Sequence, residues 1–200
     1  MKRVLSSIIL LALGSAAVIS QTTWKVDKAN SQVNFSVSHL VISEVTGRFT
    51  DFDVTLVSSK DDFSDATINA VIKTSSINTD NETRDKDLRS DDFLNVEKFP
   101  AMTFKSKRIE RAGEKTYKIA GDLTLRDSTK EVVLVTKYNG QITSGKITKA
   151  IFKATTTIDR FAFGTKYDSV IETGGMVVGR DVDITLLMEL KKQTEEGKDK

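Results

Sequence analysis

The stretch Thr116–Leu125, TYKIAGDLTL, alternates with a period of two: Tyr117, Ile119, Gly121, Leu123 and Leu125 fall on one face, and Lys118, Asp122 and Thr124 on the other. Successive side chains of a strand point to opposite sides, so this reads as a strand with one dry face and one wet face. The polar turn RDSTK (126–130) follows, and EVVLVTKY (131–138) pairs back across it as a hairpin. Upstream, SQVNFSVSH puts Val33, Phe35, Val37 and His39 on one face; ATINAVIKT groups Ile68, Ala70 and Ile72; and AMTFKSKRI forms a further strand. Between residues 47 and 57 the phase changes, Phe49 being odd-numbered and Phe52, Val54 and Leu56 even, which predicts a bulge or bend near Asp51. Downstream, KAIFKATTTI and DVDITLLMEL complete a count of about eight, the last with Val182, Ile184, Leu186, Met188 and Leu190 on one face.

Half-apolar faces suit antiparallel pairing, and no helical segments long enough for parallel crossovers lie between the strands. Eight such strands close into a barrel without edges, just wide enough to fill with side chains or to hold one small ligand. The fold class expected is therefore all-β, an eight-stranded antiparallel up-and-down β-barrel.

One segment does not fit the alternation. Half of the eighteen residues of TRDKDLRSDDFLNVEKFP (83–100) are charged. TDNE (79–82) matches a capping box, which predicts a short helix around residues 80–90. Leu88 is the only apolar residue before Phe93, so the helix must lean on the barrel, docked by Phe93, Leu94, Val96 and Phe99 and stopped by Pro100.

The chain of 200 residues supports one domain. Lys2 and Arg3 precede the apolar run VLSSIILLAL and small residues ending in AAVIS, the layout of a signal peptide over residues 1–20. Residues 21–191 form the barrel domain, and the apolar-free 192–200 a solvated tail. The leader carries two of the 30 basic residues and none of the 28 acidic ones, so the cleaved chain is neutral, which argues against nucleic acid. There are no cysteines, hence no disulfide and no thiolate chemistry, and with a single histidine no multi-histidine metal site. No metal or cofactor is expected. The glycines of ETGGMVVG lack the strand-to-helix setting of a phosphate loop, and the adjacent pairs Asp61–Asp62 and Asp91–Asp92 read as solvated turns rather than a glycosidase dyad.

The segment SSINTDNETRDKDLRSDDFLNVEKFPAMTFKS (75–106) closely resembles the signature of the YceI-like family of exported lipid- and polyisoprenoid-binding proteins, in which a serine-isoleucine-x-threonine turn leads to an arginine-aspartate pair and a leucine-arginine-serine motif. Three more blocks agree in order: WKVDKANSQVNFSVSHLVISEVTGRFTDFD (24–53), GDLTLRDSTKEVVL (121–134) and FKATTTIDRFAFG (152–164). Asn30 and Asp87 stand where the family commonly has histidine, and Arg126–Asp127 where histidine-glycine is frequent. The resemblance implies a lipocalin-like elongated barrel, a periplasmic or secreted location, and a long-chain isoprenoid or acyl lipid as partner. It also implies a homodimer; that no transmembrane span remains after cleavage is expected from the leader itself, whose apolar run is interrupted by two serines and is shorter than the roughly 20 residues a spanning helix needs, against the alternative of a retained anchor.

A lipid-holding barrel needs a dry interior whose affinity comes from apolar area removed from water. The inward-facing candidates are Phe35, Val37, Ile68, Ile72, Phe104, Leu123 and Phe152, each of which serves equally as ordinary core. His39 continues the face of Phe35 and Val37 and is a candidate head-group contact; the bland reading is a histidine satisfied by the protein. Arg84 and Asp85 form either a polar clamp near the ligand or a structural network docking the helix. No residue is assigned a catalytic role, since no GxSxG-type elbow accompanies His39. An isomerase or hydrolase using His39, and an interaction protein with a filled barrel, are the alternatives.

Overall fold

The computed structural model describes residues 20–172 and 174–194; residues 1–19 of the expected leader, and residues 195–200 of the expected tail, lie outside them. Three of the eight strands are broken in the middle. The first consists of β1 (Thr22–Val26) and β2 (Gln32–His39), separated by a 3-10 turn at Lys28–Asn30. The second consists of β3 (Ser43–Phe49) and β4 (Phe52–Ser58), bent at Thr50–Asp51 where the apolar phase changes. The third consists of β5 (Thr67–Lys73) and β6 (Ile77–Asn78), with a 3-10 turn at Thr74–Ser76 between them. Helix α1 (Glu82–Arg89) follows, then β7 (Ala101–Arg111), β8 (Thr116–Leu125), β9 (Ser128–Ser144), β10 (Ile147–Asp159) and β11 (Val178–Lys192).

Every pairing is antiparallel, and each strand pairs with its neighbours in sequence. Closure comes from β11, which pairs with β10 on one side and with both halves of the first strand on the other, Leu186 opposite Val33 and Leu190 opposite Val26. The strand reaches Lys192, and Gln193 N–H still donates to Thr23 O at 2.8 Å, so the sheet runs into the start of the expected tail.

Turns depart from expectation in two places. The β8–β9 hairpin turns on Arg126 and Asp127 alone, with β9 already begun at Ser128. Arg126 has a positive φ of 55°, where such tight turns prefer glycine; its Nη1 holds the strain by donating to Asp91 O (2.7 Å) and Phe93 O (2.5 Å). The helix cap is Asn81, whose side chain accepts from Arg84 N, and not Thr79 as the capping-box pattern predicted. Thr79 is engaged elsewhere.

That engagement explains the charged stretch. β6 pairs with β3 on one side and, among the described residues, has no strand on the other. Side chains of α1 satisfy this open edge: Arg89 donates to Ser75 O (2.9 Å) and Ile77 O (2.6 Å), Arg84 Nη2 donates to Thr79 O (2.9 Å), and Asp85 accepts from Thr79 N (2.8 Å). A buried edge without partners would leave these polar groups unpaired, at a cost of about 1–3 kcal/mol each. The segment is charged because it stands in for a strand.

Candidate ligand-binding cavity

The inward faces of all eight strands surround a cavity of about 250 Å³. Its wall takes Val33, Phe35 and Val37 from β2, Ile68, Ala70 and Ile72 from β5, Met102 and Phe104 from β7, and Ile119, Leu123 and Leu125 from β8. On the facing side it takes Val132 and Leu134 from β9, Phe152 and Ile158 from β10, and Val182, Ile184, Leu186, Met188 and Leu190 from β11. The period-two pattern thus places the same parity of each strand on the wall. Polar atoms contribute almost nothing to the exposed lining.

At the end near the β2–β3 turn, Leu88 of α1 and Phe93 and Leu94 beyond it complete the wall. Phe93 stacks on Tyr167, ring centroids 5.0 Å apart. Here Arg160, the only charged wall residue among the described residues, follows β10. It is buried, with Nε donating to Gly179 O (2.8 Å), Nη2 to Val178 O (3.0 Å) and Nη1 to Thr165 Oγ1 (3.2 Å), while the guanidinium lies 4.0 Å from the Phe161 ring centroid. Burial lowers its pKa from the ordinary guanidinium value. The group ties the 3-10 turn Arg160–Phe163 to β11 and turns its stem to the cavity.

The opposite end is closed by the loop between β4 and β5. Phe63 enters from it onto the wall and meets Trp24, Tyr138 and Phe152 edge-on, with centroids 5.3, 5.2 and 5.1 Å away. Tyr117, whose pKa burial raises, donates its hydroxyl to Asp62 O at 2.6 Å and pins the loop beside Phe63.

Of the residues singled out from sequence, Phe35, Val37, Ile68, Ile72, Phe104, Leu123 and Phe152 are brought together on one wall. His39, Arg84 and Asp85 lie off it. β2 keeps its register against β3 as far as His39–Ser43, while the extra residues between Val178 and Val182 bulge β11; Val37 is the last β2 residue on the wall, and His39 sits past it, half-buried. Among the described residues its ring has one hydrogen-bond contact, Ser43 Oγ, 3.5 Å from Nδ1. Arg84 and Asp85 converge on Thr79: Arg84 Nε donates to Thr79 Oγ1 (2.8 Å), which donates to Asp85 Oδ1 (2.6 Å). Sequence reading overlooked Phe63 and Arg160. A lone phenylalanine in the polar run SKDDFSDA was the available sign of the first; nothing local marks the second.

Among the described residues the wall exposes almost no polar atoms, so the cavity is suited to excluding water. Among the described residues no cluster of three or more His, Cys, Asp or Glu could hold a metal, and no helix is long and apolar enough to cross a membrane.

Comparison with known proteins agrees with this architecture. A UPF0312 protein of Staphylococcus aureus (strain USA300) is 36% identical over 165 residues, covering 80% of this chain and 92% of that protein. The crystal structure of a Campylobacter jejuni YCEI protein superposes with a TM-score of 0.62 at 31% identity, over 79% of this chain and 90% of that one. Two more distant structures share the fold: Burkholderia cenocepacia BcnA (TM-score 0.69, 20% identity, 82% and 98% covered), and a polyisoprenoid binding domain from Saccharophagus degradans implicated in plant cell wall breakdown (0.64, 13%, 85% and 98%). The YceI-like domain model matches residues 24–190, from the first strand to the strand that closes the barrel on it, and with that span the chain belongs to the YceI-like family.

Proposed function

We propose that the protein encloses the hydrocarbon tail of a long-chain amphiphile, an isoprenoid or acyl lipid, and carries or scavenges it in the periplasm or outside the cell without chemical change. The observation that carries this reading is the apolar cavity along the barrel axis. An apolar cavity of about 150 Å³ stays dry and accepts a benzene-sized molecule; by proportion, the volume here takes about ten carbons of chain. Phe35, Val37, Ile68, Ile72, Phe104, Leu123 and Phe152 are the contacts assigned to the tail. The head group stays outside the wall, near His39 and the end of the barrel that Arg84 and Asp85 help to build.

The leader-like residues 1–20 support export, and the description of the Saccharophagus neighbour as polyisoprenoid binding supports the ligand class. The enzyme alternative is disfavoured by His39 lying off the wall, with Ser43 the one hydrogen-bond contact of its ring among the described residues, and the filled-barrel alternative by the cavity itself. A homodimer belongs to the same proposal, and sedimentation of the purified chain tests it. The deciding experiment is native mass spectrometry with lipid extraction of the mature protein expressed with its leader. One amphiphile per barrel is expected; a barrel that is empty, and that takes up none of a panel of prenyl alcohols and fatty acids, overturns the reading. His39→Ala is expected to retain the bound lipid.

A further inference from the structure

We propose that Phe63 is the stop that sets the length of hydrocarbon the barrel accepts, an inference that rests on the lipid-enclosing reading above. The segment between β4 and β5 turns into the barrel instead of over it. Phe63 has a positive φ of 59° and is only 4% exposed. An aromatic residue enters the left-handed region rarely, and only where its surroundings hold it there.

The surroundings do so from both sides. Phe63 N–H donates to Lys60 O (3.2 Å), and Phe63 O accepts from Ala66 N–H (3.1 Å). Asp65 accepts from Ser58 Oγ (2.5 Å) and Ser59 N (3.1 Å), and Tyr117 from the barrel wall grips Asp62 O. The hydrogen bonds to Ser58 and Ser59 lower the pKa of Asp65 below the usual carboxylate range, so the carboxylate stays charged and bonded at neutral pH.

The ring itself divides the interior. Phe63 and Phe152 are on the cavity wall, whereas Trp24 and Tyr138, which touch Phe63 from behind, are not. A chain that enters at the end carrying Val37 and Val178 therefore runs out of space against this ring. Removing the phenyl group would extend the cavity toward Trp24 and Tyr138 by about the bulk of one five-carbon isoprene unit.

The test is competitive loading. Delipidated wild type, Phe63→Ala, Phe63→Leu and Phe63→Trp are each exposed to an equimolar mixture of prenyl alcohols of one to five isoprene units, and the bound species are counted by native mass spectrometry. The most populated length is expected to move up by about one unit in Phe63→Ala, by less in Phe63→Leu, and down in Phe63→Trp. Where the alanine variant does not fold, the leucine and tryptophan variants decide. Unchanged length ratios in folded, loaded variants overturn the stop and leave lipid enclosure standing. A wild-type barrel that takes up no prenyl alcohol or fatty acid overturns both.

Discussion

Asp85 is buried in a segment made almost wholly of surface residues, and its carboxylate takes two bonds from one residue, Thr79 N and Thr79 Oγ1. Asp85→Ala leaves that N–H and hydroxyl buried without an acceptor, and Arg84 loses the polarised hydroxyl it donates to. The expected loss is about 2–4 kcal/mol, read as a lowered urea midpoint at unchanged slope. Gly121 poses the opposite problem. A Cβ there would lie 2.5 Å from both Lys105 O and Phe104 Cζ, so the phenyl ring occupies the space a side chain would need. Gly121→Ala is expected to drive Phe104 further into the cavity, costing about 1–3 kcal/mol and reducing lipid loading measured by native mass spectrometry. Both glycine and phenylalanine were legible as inward-facing from alternation alone. The contact between them was not, because period two fixes a side chain's face but not its neighbour across the ladder.

Breaks within strands are what the elements add. The first strand is interrupted at Asp27, which accepts from Lys149 Nζ (2.8 Å), Lys191 Nζ (3.0 Å) and Asn30 Nδ2 (3.0 Å). Hydrogen bonding to Lys149, ahead of the other contacts, holds its pKa well below the ordinary value of 3.8. A carboxylate whose folded pKa is depressed stabilises above its unfolded pKa and loses that contribution as pH falls through the folded one. The stability difference between wild type and Asp27→Asn is therefore expected to be constant at neutral pH and to shrink progressively below about pH 4, as followed by urea titration at each pH. A difference that persisted undiminished at about pH 2 would remove Asp27 from the linkage. The bend at Thr50–Asp51 was readable as a phase change, since every even-numbered apolar residue after it had to face inward. The helix was readable too, but its cap was not: Thr79 matched the pattern, yet its hydroxyl is committed to Asp85 and the amide of Arg84 is met by Asn81. A cap motif states which side chains could bond an amide, while tertiary contacts decide which one does.

For the molecule as a whole, closure was the least legible step. Eight alternating strands are compatible with a sandwich as well as a barrel; the choice rests on which strand lies beside the first, and local pattern is silent about partners so distant in sequence. Here it is β11, joined to β1 by Trp24–Lys192, Lys25–Lys191 and Val26–Leu190. Apart from this pairing and that of β11 with β2, every wall pairing joins neighbours around the meander, which can assemble locally while the seam must close a loop of nearly the whole chain. This orders the folding steps. Leu190 is 2% exposed and opposite both Val26 and Ala150, so Leu190→Ala is expected to cost about 2–5 kcal/mol. Because its contacts form last, the cost should appear in stopped-flow kinetics as faster unfolding with a φ-value below about 0.3. Ile119→Val, in the β8–β9 hairpin where Ile119 faces Leu134, is expected to slow folding with a φ-value above about 0.5. If the seam substitution slowed folding as much as the hairpin one, the barrel would be closing before its meander is built, and the long-range pair would belong to the nucleus.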